Sequence, residues 1–156
     1  MRDRILAATK DAMKSGDKAR LGTLRLMSAA IKDRDIAARV DSSGQSTGVE
    51  KVGDDEILSL LQKMVKQRKE SVATYKDADR GDLVEKEEAE IAIIEEFMPQ
   101  QMSADETAAA VAEVIEELNA SGLKDMGRVM GALKERYVGR MDFGKASGAV
   151  KAKLSG

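Results

Sequence analysis

Apolar residues recur every three to four positions along nearly the whole chain, and a single proline, Pro99, interrupts that rhythm. Spacing near 3.6 residues places such side chains on one face of a helix. No segment shows the period-two alternation of a half-buried strand. The expected fold class is therefore all-α, with a four-helix N-terminal part and a small three-helix C-terminal tail bundle. Proline pushes the residue before it away from helical angles. The expected divisions are thus 1–98, a linker at 99–102, and a tail domain at 103–156.

Within the first part the spacing predicts helices over 3–14, 17–39, 54–78 and 82–98. Asp17 is placed to cap the second. Residues 41–48, Asp-Ser-Ser-Gly-Gln-Ser-Thr-Gly, contain no apolar side chain and read as a flexible loop. Beyond Pro99, Ser103-Ala-Asp-Glu106 has the form of a capping box. Asp125 and Asp142 are placed to cap the last two helices. No internal repeat and no long low-complexity run is evident. As one globule, a chain of this size would expose roughly 7,700 Å².

Composition narrows the chemistry. The 156 residues include no His, no Cys and no Trp. A disulfide, a thiolate or imidazole metal site, and a Ser-His or Cys-His nucleophile pair are all excluded. No metal site is expected, and no cofactor, since neither a P-loop nor a GxGxxG fingerprint is present. No run approaches 18 apolar residues, so no membrane partner is expected. The N-terminus lacks a continuous apolar signal region. With the missing Cys, that points to a cytoplasmic location.

Three constellations stand out. The first is a structural ion pair. Arg68 lies within the apolar stripe of the third helix, and Glu87 and Glu90 lie within that of the fourth. A lone buried charge is prohibitively costly, so Arg68 is expected to meet Glu87 or Glu90. A catalytic carboxylate pair is the less favoured alternative.

The second constellation is charge segregation. The formal net charge of −2 is a sum of opposed segments. Residues 77–101 carry nine acids against two bases, and residues 102–122 carry five acids and no base. Residues 123–156 carry eight bases against three acids. Residues 1–39 carry ten bases against five. Such runs are usually solvated faces, but a basic end is also where a phosphate backbone would sit.

The third is glycine spacing. Gly127 and Gly131 fall in one expected helix, and Gly144 and Gly148 in the next. A helix-interior glycine costs about 1 kcal/mol against alanine, so a compensating reason is required. Gly127 and Gly131 share a side with Lys134 and allow close approach of another backbone. That backbone is either a neighbouring helix, slightly favoured, or a sugar–phosphate chain. The start of the last helix, with Lys145, offers a further phosphate position for which Asp142 would compete.

These residues resemble a family. Lys66-Gln-Arg-Lys-Glu-Ser71, Asp82-Leu-Val-Glu-Lys-Glu87 with Ala89-Glu90, Phe97-Met-Pro-Gln-Gln101, and Asp125-Met-Gly-Arg-Val-Met-Gly131 followed by Gly139-Arg140 look like the YqeY proteins. The likeness covers nearly the whole chain. Two features depart from it: Ala78-Asp-Arg-Gly81 where an Ala-Gly-Arg turn is usual, and the Ser/Gly loop at 41–48. The resemblance implies the GatB/YqeY fold, shared with the C-terminal part of the B subunit of the tRNA-dependent amidotransferase, where a helical part and a small tail engage tRNA. It also implies a family label of carbon–nitrogen ligation with glutamine as amide donor. The amidotransferase's catalytic machinery has no counterpart in this chain, so no catalysis by the chain alone is expected.

The expected function is thus a non-catalytic tRNA-binding-like module accessory to tRNA-dependent amidation. Its phosphate-contacting candidates are Lys124, Arg128, Lys134, Arg136, Arg140 and Lys145, with Gly127 and Gly131 permitting close approach. The alternative is a helical adaptor that docks an amidotransferase or aminoacyl-tRNA synthetase component and binds no RNA.

Overall fold

The computed structural model describes residues 1–156, which form seven α-helices and no strand. The chain divides into two compact units, Met1–Met98 and Pro99–Gly156, each with its own core. Its accessible surface of 9770 Å² exceeds the value for a single globule because two small cores bury less than one large one.

The first unit contains α1 (Arg2–Ser15), α2 (Lys18–Ala38), α3 (Asp54–Asp77) and α4 (Gly81–Glu95). Gly16 ends α1 in the left-handed conformation, φ 73°, where its N–H bonds the Ala12 carbonyl. Asp17 then caps α2 by accepting from the Arg20 N–H at 3.0 Å. The core collects Leu24, Met27, Ile31, Ile57, Leu61 and Ile94, with Phe97 closing it. Helix α4 stops at Glu95 rather than Met98; Phe97 and Met98 continue in tighter turns, bonding back to Ile94 and Glu95.

Residues 40–53 have more local structure than their composition suggests. Val40 and Ser46 form an antiparallel bridge. The Asp41 carboxylate accepts from the Ser43 N–H, the Ser43 hydroxyl and the Gln45 N–H. The segment then returns to the core through Val52, which is buried.

The second unit contains α5 (Ala104–Glu117), a short 3₁₀ turn (Leu123–Asp125), α6 (Met126–Arg136) and α7 (Phe143–Ser155). The capping box is formed: Glu106 N–H donates to Ser103 Oγ at 3.1 Å, and Ser103 N–H to Glu106 Oε2 at 2.7 Å. Asp142 caps α7 by accepting from Lys145 N–H at 3.2 Å. Asp125 does not cap α6. Its carboxylate is drawn back to the Ser121 N–H, because the preceding residues coil into the 3₁₀ turn. Val111, Val114, Val129, Leu133, Met141 and Val150 fill the core.

Candidate nucleic-acid interface

The structure sorts the tail's cations by side-chain type. All three arginines among the six candidates are engaged within the unit. Arg128 bonds Asp125 at 2.9 Å and the Leu118 carbonyl at 3.3 Å. Arg136 pairs with Glu117 at 2.6 Å. Arg140 donates from Nε to the Gln100 carbonyl at 3.2 Å, while its own carbonyl accepts from Met102 N–H. With the Gln101 amide on the Gly139 carbonyl, these bonds tie residues 100–102 to the turn between α6 and α7. The rigid guanidinium fork suits such roles.

The lysines differ. Lys124, Lys134 and Lys145 are exposed and have no ion-pair partner. Lys151 and Lys153, which fell outside the candidate set, are in the same condition. A cation without an internal partner remains available for an external anion. Sequence could have flagged Lys151, since it lies on the same side of α7 as Gly144 and Gly148.

The glycine question is settled against the favoured alternative within this unit. A Cβ built on Gly127, Gly131 or Gly148 would meet nothing within 4 Å, so no other helix of this unit uses that space. At Gly144 it would come 3.3 Å from Asp142 Oδ1. Gly127 and Gly144 are second residues of their helices, whereas Gly131 and Gly148 are truly interior. The apolar Leu123 side chain stands exposed just ahead of α6.

The ion-pair candidate also resolves. Arg68 donates from Nε to Glu90 Oε2 at 2.9 Å and to the Met64 carbonyl at 3.2 Å. The two side chains keep 15% and 16% of their accessibility, so the pair is mostly shielded. Glu87, half-buried one turn earlier, is not Arg68's partner. Arg68→Met should lower stability by about 1.5–3 kcal/mol, the range for hydrogen bonds to charged groups. A melting curve superimposing on the parent's would refute the pairing.

A second polar cluster escaped the sequence reading. Arg2 donates from Nη1 and Nη2 to the two Asp35 oxygens at 2.9 and 2.6 Å, and from Nη2 to the Val52 carbonyl at 2.8 Å. Val52 N–H returns a bond to Asp35 at 2.8 Å. Asp35 sits on the apolar stripe of α2, the same signal that exposed Arg68.

An all-helical chain of two units, with a lysine-bearing glycine face on the second, is thus defined. It belongs to the Yqey-like protein family, whose model matches residues 2–154. The chain is 31% identical over 140 residues to altered inheritance of mitochondria protein 41, mitochondrial, of Pyrenophora tritici-repentis, covering 86% of this chain and 72% of that one. It is 33% identical to the protein of the same name from Lachancea thermotolerans, over 72% of this chain and 56% of the relative. An uncharacterized protein of Schizosaccharomyces pombe is 32% identical over 60% of this chain and 68% of its own. The chain therefore spans little more than half of the Lachancea relative.

These relatives correct the expected cytoplasmic location, since two of the three are named as mitochondrial. The inference failed for a physical reason. Mitochondrial targeting segments are amphipathic and Arg-rich, not continuously apolar, so a missing apolar region does not exclude them. Absence of Cys likewise decides no compartment. Separately, no helix is long and apolar enough to cross a membrane.

Proposed function

We propose that this protein binds tRNA through its tail, as a non-catalytic module accessory to tRNA-dependent amidation. The observation that carries this reading is the open glycine face of α6 beside lysines with no internal partner. A phosphate backbone needs cations that are free to exchange counterions for phosphate. It also needs a surface it can approach closely. Lys124, Lys134 and Lys145 are the contacts in this reading. Arg128, Arg136 and Arg140 hold the unit in shape and set the field around them. The motifs around Gly127–Gly131 and Gly139–Arg140 resemble the YqeY proteins, whose fold is shared with the C-terminal part of the amidotransferase B subunit, and that shared fold supplies the link to amidation.

The test is an electrophoretic shift with total tRNA across a salt series. The logarithm of the binding constant should fall linearly with the logarithm of salt, by about 0.7–0.9 for each phosphate contacted. Lys134→Glu combined with Lys145→Glu should abolish the shift and leave the helical circular dichroism intact. Binding unchanged in that double variant rules the site out. A protein partner retained after nuclease treatment, with no RNA shift, selects the adaptor reading instead.

A further inference from the structure

The two basic helices of the tail carry the same ten-residue sequence pattern, contrary to the expectation of no internal repeat. Asp125-Met-Gly-Arg-Val-Met-Gly-Ala-Leu-Lys134 aligns without a gap with Asp142-Phe-Gly-Lys-Ala-Ser-Gly-Ala-Val-Lys151. Both copies start at the same register, the Asp preceding the first helical residue. From the second position onward the burial pattern also coincides, residue for residue. Val129 and Leu133 match Ala146 and Val150 in the core, and Met126, Met130 and Ala132 match Phe143, Ser147 and Ala149 at its edge. Gly127, Arg128, Gly131 and Lys134 match Gly144, Lys145, Gly148 and Lys151 on the exposed side.

Core packing explains why the fifth and ninth positions are apolar. It does not explain the exposed half. The first cation of each copy follows a glycine, and the second stands seven residues beyond that glycine. At 100° per residue the two glycines and the final lysine fall within about 60° of one another. Each helix thus presents an unpartnered lysine at the end of a side-chain-free track, with a second cation on its flank. Lys134, Lys145 and Lys151 have no internal anion. The interior glycines, Gly131 and Gly148, weaken their helices, and nothing in the tail occupies the space they leave.

We infer that the tail holds two equivalent cationic strips, 127–134 and 144–151, each of which contacts a phosphodiester backbone. Lys151 is accordingly a binding residue of the same rank as Lys134. This rests on the tRNA reading above and adds to it the number of contact strips and the identity of the second. Two strips on helices that pack directly against each other double the number of phosphates neutralised without any new fold. The two copies hold four of the eight bases of residues 123–156.

The experiment is fluorescence anisotropy of labelled total tRNA, over a salt series, with the 156-residue chain. Lys134→Ala and Lys151→Ala should each reduce the salt slope by about 1, and the double variant by about 2. Gly131→Ala and Gly148→Ala supply the control against misfolding. Each should raise the tail's melting temperature, by about 4–8 °C, yet weaken tRNA binding to a similar extent. A parent-like slope for Lys151→Ala beside a reduced one for Lys134→Ala overturns the second strip while leaving tRNA binding in place. Absence of any salt-dependent binding by the parent protein overturns the tRNA reading itself, and the two strips with it.

Discussion

Asp35→Ala should lower the stability of the Met1–Met98 unit by about 1.5–3 kcal/mol, the range for hydrogen bonds to charged groups. The Asp35 side chain keeps only 10% of its accessibility. Its two oxygens satisfy two guanidinium nitrogens of Arg2 and the Val52 N–H. Without the carboxylate, the Arg2 guanidinium loses its ion pair and the Val52 N–H its acceptor. Val52 itself is part of the core, so the chain segment entering α3 loses its attachment to α2. Asp35→Asn should cost less, because an amide oxygen still accepts one bond. Urea unfolding of both variants measures the difference. Losses below 1 kcal/mol for both would show that water replaces the network.

The same cluster sets an acid limit. Arg2, first through its hydrogen bonds, holds the Asp35 carboxyl below the ordinary carboxylate range. A group depressed in the folded state stabilises fully above its unfolded value of about 3.9. That contribution disappears as pH falls through the folded value. Glu106 in the capping box and Glu117 beside Arg136 are shifted in the same direction. With no His in the chain, no side chain has an ordinary pKa between pH 5 and 8. Stability should therefore be level across that window and fall only in acid.

Leu133→Ala should cost the tail about 2–5 kcal/mol. Leu133 is fully buried among Val111, Val129, Met141 and Val150. A unit of about 60 residues has a small core and a correspondingly small margin. The substitution should therefore unfold Pro99–Gly156 at temperatures where Met1–Met98 stays folded, giving two transitions where separate cores melt independently. Calorimetry resolves them. One cooperative transition, shifted as a whole, would mean that the units unfold as one body. The same variant should lose tRNA binding along with the fold, which is why lysine and glycine substitutions are the better probes of the surface.

How much of this was legible beforehand differs by level. Helical periodicity places each helix to within a few residues, because the apolar stripe is a local property of the chain. The Ser103–Glu106 box and the Asp17 and Asp142 caps are legible for the same reason: their partners lie three residues away. Asp125 has the same sequence appearance as Asp142 and behaves differently, since the backbone before it coils into a 3₁₀ turn. The Arg68–Glu90 pairing was half legible. An ionised residue on an apolar stripe announces that a partner exists, but Glu87 and Glu90 share that stripe, and only helix packing selects between them.

Surface chemistry was the least legible level. The six candidate cations of the tail carry the same charge, and only the structure shows that the three arginines are tied to Asp125, Glu117 and the Gln100 carbonyl whereas the lysines are free. Sequence alone determined the all-helical class, the break at Pro99, the exclusion of His and Cys chemistry, and the opposed charge of the segments. These follow from residue type and near-neighbour spacing. Tertiary structure decided which charges cancel one another, and that the glycine faces meet nothing within the tail. Apart from the i,i+3 pair of Arg128 with Asp125, these depend on groups far apart in sequence being brought together or kept apart, and no local pattern encodes those distances.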